Sequence, residues 1–331
     1  MEFPWYRGNG EKAAEEVPVP TQGRSRFTDP SGYRPDTGLI DAVNVSLHSG
    51  QPLLLTGSPG TGKTQLAYSL AHELGMPKPH KFETKSTSLS RDLFYTYDTL
   101  GRFHAAQTKS EVLDPVHYLT FNALGKAILQ ANQPEAVKHL VPADALHDRP
   151  RRSVVLIDEV DKAPLDFPND LLNEIDEMYF RIPELRGEVV RAERELRPVV
   201  VITSNSEKNL PAPFLRRCVY YDIPFPKLER LREIVVQRLG QDILQAPGAL
   251  NEAIELFGEL ASENSGLTRR PSTGELLVWL RVLSGLPIVE GSLREAGAEK
   301  IVRTLTPLIK VEEDGRKAKS IVEQWANKSE S

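Results

Sequence analysis

Cysteine is almost absent from this chain. Cys218 stands alone among 331 residues, which excludes an intrachain disulfide and any four-cysteine zinc site. The seven histidines are scattered without metal-ligand spacing, so no zinc centre is indicated. No apolar run approaches the length of a bilayer. The first residues, Met1 to Val17, lack a basic segment followed by an apolar one and do not read as a secretory signal. With a single cysteine, these absences predict a reducing cytoplasm. An excess of positive charge is missing too. Lys plus Arg is 41 against 46 for Asp plus Glu, a formal net charge of -5, which disfavours a surface coated for nucleic acid while leaving room for a local basic stripe. Glycine is outnumbered by proline, 22 to 25, and no internal repeat or low-complexity tract is visible.

What is present suits about two domains of ordinary size, with 40% hydrophobic and 26% charged residues. Residues 1–35 read as an arm. Pro4, Pro18, Pro20, Pro30 and Pro35 fix φ and remove backbone donors, against helix and central strand alike. Trp5, Tyr6, Phe27 and Tyr33 in the same stretch suggest that the arm docks on the domain after it. From Asp36 the pattern changes. Leu39, Ile40, Val43 and Leu47 fall at helical spacing within 36–48. Leu53–Leu55, residues 153–157 (SVVLI) and 198–203 (PVVVIT) are short apolar runs of the kind that form buried parallel strands. Helical patterns over 63–74 and 166–178 lie between them, and strands alternating with helices imply a parallel α/β sheet. After about residue 224 strand signals stop. Segments 227–239, 249–262, 273–283, 292–309 and 315–326 read as amphipathic helices punctuated by Pro224, Pro226, Pro247, Pro271 and Pro287. The expected fold is therefore α/β, a parallel P-loop NTPase sheet over 36–223, followed by a small all-α domain over 224–331.

Gly57-Ser58-Pro59-Gly60-Thr61-Gly62-Lys63-Thr64 fits G-x-x-x-x-G-K-[ST] completely, with an apolar strand before it and a helix after it. Glycines let successive backbone N–H groups face one anion, and the helix N-terminus adds its positive dipole end. Lys63 is placed to reach the β- and γ-phosphates of ATP, and the Thr64 hydroxyl to ligate Mg²⁺. Gln65 comes next, in the first helical turn, as a further binding residue. Farther on, Val154 to Glu159 is an apolar strand that ends in two carboxylates, at the strand edge where ligands of α/β sheets bind. Asp158 is suited to hold Mg²⁺ through water, and Glu159 to polarise an attacking water as general base. The segment LSRDLFYTYDTLGRFHAAQ clusters Phe94, Tyr95, Tyr97 and Phe103 with Arg91 and Arg102. It reads as a packed helix with a loop, or as a nucleic-acid stacking surface. No Ser-His-Asp or Cys-His set stands out.

These motifs and four further segments resemble the AAA+ ATPases, and more narrowly their MoxR branch, which shares features with dynein-related and magnesium-chelatase ATPases. The resemblance spans roughly residues 36–310. LIDEVDKAPLDFPNDLLNEIDE is similar to that branch's Walker B segment and the helix after it, and 180–197 to its pre-sensor hairpin. VVVITSNSEKNLP resembles the sensor 1 strand, implying Asn205, with Ser204 as the alternative, as the residue that orients the lytic water. PAPFLRRC resembles the arginine-finger helix end, implying Arg217 or Arg216 as a finger reaching a neighbouring subunit's site. The family's aromatic after the finger is replaced here by Cys218, which the resemblance makes an interface reporter and not a redox centre. LTRRPSTGELLVWL resembles the sensor 2 helix of the lid, with Arg269 or Arg270 toward the γ-phosphate and Ser272 and Glu275 forming a capping box. The region Tyr33 to Ile40 is the implied base pocket, with adenine as the base.

The resemblance implies an ATP-hydrolysing homo-oligomer, a hexameric ring, that remodels or matures a protein partner, in this branch commonly together with a von Willebrand A-type protein. It also places a pore-facing loop in the aromatic segment after the phosphate loop. Two other readings stand beside it: a nucleotide-gated signalling or defence switch, and a DNA-acting motor. The acidic balance and the lack of a separate DNA-binding module weigh against the last.

Overall fold

The computed structural model describes residues 29–108, 114–205, 210–241, 243–244, 248–285 and 292–328. Most of the N-terminal arm, including Trp5, Tyr6 and Phe27, lies outside the described residues. The chain divides into two compact units. One comprises Pro35–Gly57 and Gly62–Ile223. The other takes in the described residues before Pro35, the loop tip Ser58–Thr61, and those from Pro224 onward.

The first unit is built on a parallel sheet. Among the described residues its nine strands in chain order are β1 (Leu53–Thr56), β2 (His80–Glu83), β3 (Tyr95–Tyr97), β4 (Leu119–Phe121), β5 (Val154–Asp158), β6 (Tyr179–Ile182), β7 (Glu188–Arg191), β8 (Val199–Thr203) and β9 (Val219–Asp222). Five of them form the main sheet in the order β2-β5-β8-β1-β9, all pairs parallel. Every residue of β1 and β5 is buried. Helices on both faces therefore explain unbroken apolar runs where an alternating pattern would signal one wet face. The edge strands β2 and β9 were not visible as apolar runs; each alternates half-buried with exposed residues. Two antiparallel ribbons complete the unit, β3 with β4 and β6 with β7. The second occupies the stretch expected as the pre-sensor hairpin. The first, not expected, holds the aromatic segment. Phe94, Tyr95 and Phe121 pack on Phe180 of β6, and Tyr95 donates from its hydroxyl to Glu184 at 2.8 Å. Burial and that bond push the Tyr95 phenol well up. These aromatics are thus core, while Phe103 on the helix Thr99–Gln107 is exposed. The single helix expected over 166–178 is two short ones, Phe167–Asp170 and Leu172–Glu177.

The second unit is helical: Leu228–Leu239, Ala249–Ala261, Thr273–Ser284, Ala298–Thr304 and Glu312–Asn327. Its core centres on Phe257, Trp279 and Trp325 with leucines from several of these helices. Trp279 donates its indole N–H to Thr304 at 2.9 Å. The helix expected over 292–309 shrinks to Ala298–Thr304 because Glu252 captures the preceding turn. Its carboxylate accepts from the Ser292 hydroxyl at 2.8 Å and from the Leu293 N–H at 2.6 Å. The described end of the arm is tied to the first of these helices. Arg238 and Arg230 donate to the backbone carbonyls of Asp29 and Arg34, each at 2.5 Å. Among the described residues, no helix is long and apolar enough to cross a membrane.

Candidate nucleotide-binding site

The end of β1, the loop Gly57–Gly62 and the helix Lys63–Glu73 succeed one another as the motif requires. Gly62 sits at φ 96° as the helix N-cap, a left-handed conformation that glycine adopts without penalty. Gly60 has φ 80°, and a Cβ there would fall 2.6 Å from the Ser272 Cβ. Both conformation and space demand glycine. Lys63 is only 7% exposed, and its ammonium donates to the Gly57 carbonyl at 2.7 Å. Burial lowers its pKa, while the carboxylates of Asp161, Asp158, Asp222 and Glu159 partly offset that shift. Gln65 lies in the first turn, and its buried Oε1 lacks a hydrogen-bond partner among the described residues.

Asp158 ends β5 at 6% exposure with three donors around it. Oδ1 accepts from the Thr64 hydroxyl at 2.9 Å and from the Thr203 hydroxyl at 2.7 Å. Oδ2 lies 2.8 Å from the Lys81 ammonium. Burial alone would raise this carboxyl, but the hydrogen bonds from Lys81, Thr203 and Thr64 outweigh it and hold the pKa below the usual carboxylate range. A carboxylate kept ionised beside a hydroxyl is a donor set suited to Mg²⁺, which takes one or two carboxylates and completes its shell with water and phosphate. Among the described residues no cluster of three or more His, Cys, Asp or Glu could cage a metal.

Glu159 has φ 57°, a left-handed conformation rare for glutamate. Its N–H donates to the Thr203 hydroxyl at 2.9 Å, so Thr203 anchors both acidic residues at once. The Glu159 carboxylate pairs with Lys162 and lies 3.5 Å from the Asn205 side-chain amide. The Asn205 backbone N–H donates to Asp161 at 3.0 Å. Of the two candidates after β8, Asn205 is the one whose side chain reaches Glu159. Ser204 is fully buried, with its N–H on the Leu55 carbonyl. Lys63, Thr64, Asp158, Glu159 and Asn205 therefore meet at the C-terminal ends of β1, β5 and β8, the edge where α/β sheets bind ligands.

The other expected residues lie elsewhere. Arg216 and Arg217 come just after the short helix Ala212–Leu215 and are exposed. The Arg217 Nε lies 3.4 Å from Asp176 Oδ2, while the Arg216 N–H donates to the Ala212 carbonyl and its guanidinium has no ion-pair partner among the described residues. Beside them, burial pushes the Cys218 thiol up to about 12, so it is not a thiolate at neutral pH. Within the helical unit, Arg269 is 3.8 Å from Glu275 and Arg270 is 3.3 Å from Glu263. The expected capping box forms between Ser272 and Glu275. Asp314 accepts from the Thr268 and Arg269 N–H groups at 2.8 and 3.0 Å and so fixes the turn that presents the arginines. In the expected base region, Asp36 caps the helix Thr37–Ser49 and accepts from Tyr221 at 2.5 Å. Lys81, Lys162 and Thr203 were missed by sequence reasoning. Thr203 alone left a signal, a polar residue closing an apolar strand.

The family described as AAA domain (dynein-related subfamily) matches residues 52–218. CD-NTase-associated protein 6 of Pseudomonas aeruginosa is 28% identical over 245 residues, which is 70% of this chain. The chain spans 66% of that relative's length. Among solved structures, the Holliday junction branch migration motor RuvB of Thermotoga maritima is 16% identical, with 81% of this chain and 66% of that one covered and a TM-score of 0.43. A variant of the same RuvB gives 18% identity, 81% and 67% coverage and a TM-score of 0.45. The family match takes in just over half the chain and contains the phosphate loop, Asp158 at the end of β5, Glu159 just after it, and Asn205. The chain belongs to the AAA domain family, dynein-related subfamily.

Proposed function

We propose that this chain binds ATP with Mg²⁺ and hydrolyses it at the interfaces of a homo-oligomeric ring of six, to remodel or mature a protein partner. The observation that carries the reading is the convergence of Lys63, Thr64, Asp158, Glu159 and Asn205 on one sheet edge. In this reading residues 36–223 are the nucleotide-binding domain, 224–331 the lid and 1–35 an arm. Lys63 and the loop N–H groups hold the phosphates. Thr64 and Asp158 hold the metal, which neutralises phosphate charge when bound. Glu159 takes the proton of the attacking water, and Asn205 fixes where that water sits. Arg217, or Arg216 beside it, supplies positive charge to a neighbour's site, and Arg269 or Arg270 does so from the lid. The finer placement in the MoxR branch, with a von Willebrand A-type partner and a cytoplasmic setting, belongs to the same proposal.

ATP turnover per subunit, followed against protein concentration, tests the interface. It should rise through the range in which the chain assembles. Arg217→Ala should lower the assembled rate about tenfold, since Arg216 can still supply part of the charge, and the double substitution should lower it further. A rate per subunit that is flat through assembly and indifferent to both arginines would remove the interface from the proposal. The Pseudomonas relative, which its name describes as CD-NTase-associated, favours a second reading of this chain, a nucleotide-gated signalling or defence switch. A switch would show fast binding and a single slow hydrolytic event, and a motor continuous turnover stimulated by its client.

A further inference from the structure

We infer that Lys81 is a positioning residue that sets how tightly the site takes Mg²⁺, by occupying Asp158 until the metal arrives and then moving to Glu83. The inference rests on reading Thr64 and Asp158 as the metal-binding pair. Four observations support it. Lys81 lies on β2, which among the described residues is an edge strand paired with β5 alone, in register one residue before the Phe82–Ile157 pair and two before the Glu83–Asp158 pair. Its ammonium lies 2.8 Å from Asp158 Oδ2, the oxygen that neither Thr64 nor Thr203 engages. Oδ1 already accepts two hydroxyls, so Oδ2 is the atom left for a metal-bound water, and Lys81 covers it. A second carboxylate is at hand: Glu83 Oε2 lies 3.8 Å from the same ammonium, and its side chain is 65% exposed. Lys81 itself is one-third exposed, so its flexible stem can swing without unpacking the core.

Two charges of the same sign on one carboxylate repel, so the ammonium lowers the site's affinity for free metal. Binding with the nucleotide is penalised less, because the phosphates bring their own negative charge. Lys81 thereby biases the site toward taking metal and nucleotide together.

The test is the Mg²⁺ concentration that half-saturates tight binding of a fluorescent ADP analogue, a readout that needs no turnover. Lys81→Met should lower that concentration about five- to tenfold and leave affinity in EDTA unchanged. Glu83→Gln should raise it in the wild-type background and do nothing in the Lys81→Met background, because the residue acts as a landing site for the lysine. Such non-additivity is what a double-mutant cycle detects. Equal Mg²⁺ dependence in wild type and Lys81→Met overturns the inference. An equal Glu83→Gln effect in both backgrounds overturns the move to Glu83 and leaves only a general field. Thr64→Ala and Asp158→Asn separate the two levels. If both leave the half-saturating concentration at its wild-type value, the metal-site reading falls and the inference with it. If they raise it while Lys81→Met changes nothing, only the inference falls. Thermal unfolding of each variant without nucleotide checks that the fold survives.

Discussion

Lys63→Ala should weaken Mg²⁺–ATP binding more than a hundredfold. The side chain is an ammonium held at 7% exposure, with its pKa lowered by burial and sustained by surrounding carboxylates. Its contact with the Gly57 carbonyl curls it back over the loop. Two charge-assisted hydrogen bonds to phosphate oxygens would contribute about 3–6 kcal/mol, and about 2.7 kcal/mol already corresponds to about a hundredfold in affinity. Misfolding is the obvious alternative cause of lost binding, and the direction of the pKa shift separates the two. A lysine whose folded pKa lies below its unfolded value opposes folding while it is charged. That cost is present at neutral pH and is relieved only as pH rises from the folded pKa toward the unfolded one. Removing the charge therefore should not destabilise the empty protein. Lys63→Met, which keeps the apolar stem, should unfold at or above the wild-type temperature and still fail to bind in a calorimetric titration. Binding within threefold of wild type would overturn the assignment of the loop.

Part of this site was legible in the sequence and part was not, and the difference lies in how each residue is placed. The phosphate loop is contiguous, so strand, glycines, Lys63 and Thr64 announce one another over a dozen residues. Asp158 and Glu159 were legible because β5 is buried on both faces and expels charge to its end. The partners of Asp158 are different. Lys81 reaches it through the pairing of β2 with β5, and Thr203 through the pairing of β5 with β8. Strand adjacency is not written in either segment. β2 was obscured for a further reason. As an edge strand it mixes His80, Lys81 and Glu83 with a single large apolar residue, Phe82, so it lacks the apolar run that betrays a central strand. β9 is hidden likewise at the opposite edge. Among the helices, tertiary contact overrode local pattern where Glu252 holds the turn at Ser292 and Leu293. The aromatic segment allowed two readings by composition, packed core or stacking platform, and the packing of Phe94 and Tyr95 against Phe180 agrees with the first.

Glu159→Gln should leave nucleotide affinity within a few-fold of wild type and lower single-turnover hydrolysis about a thousandfold, within the usual range for loss of a general base. Glutamine keeps the shape and the approach of Asn205 while losing the proton acceptor. It also loses the pair with Lys162, but both side chains are substantially exposed, where such pairs contribute little to stability. The backbone strengthens the argument. Glu159 holds a left-handed φ of 57°, a conformation that costs a non-glycine residue about 1–2 kcal/mol. The anchor at Thr203 pins it there. Strain retained at one residue of an otherwise regular strand end is more easily understood if that side chain does chemistry. A third substitution turns this into a measurement. Glu159→Gly relieves the conformation, and glycine's extra freedom in the unfolded chain offsets part of the gain. The variant should therefore unfold no lower than wild type while being as inactive as Glu159→Gln. A fall in unfolding temperature would mean that the side chain is there for stability. Turnover within tenfold of wild type in Glu159→Gln would shift the role of base to Asp161, the carboxylate that accepts from the Asn205 N–H. Single-turnover measurement is essential, because a slow product-release step would mask a chemical defect in steady-state rates.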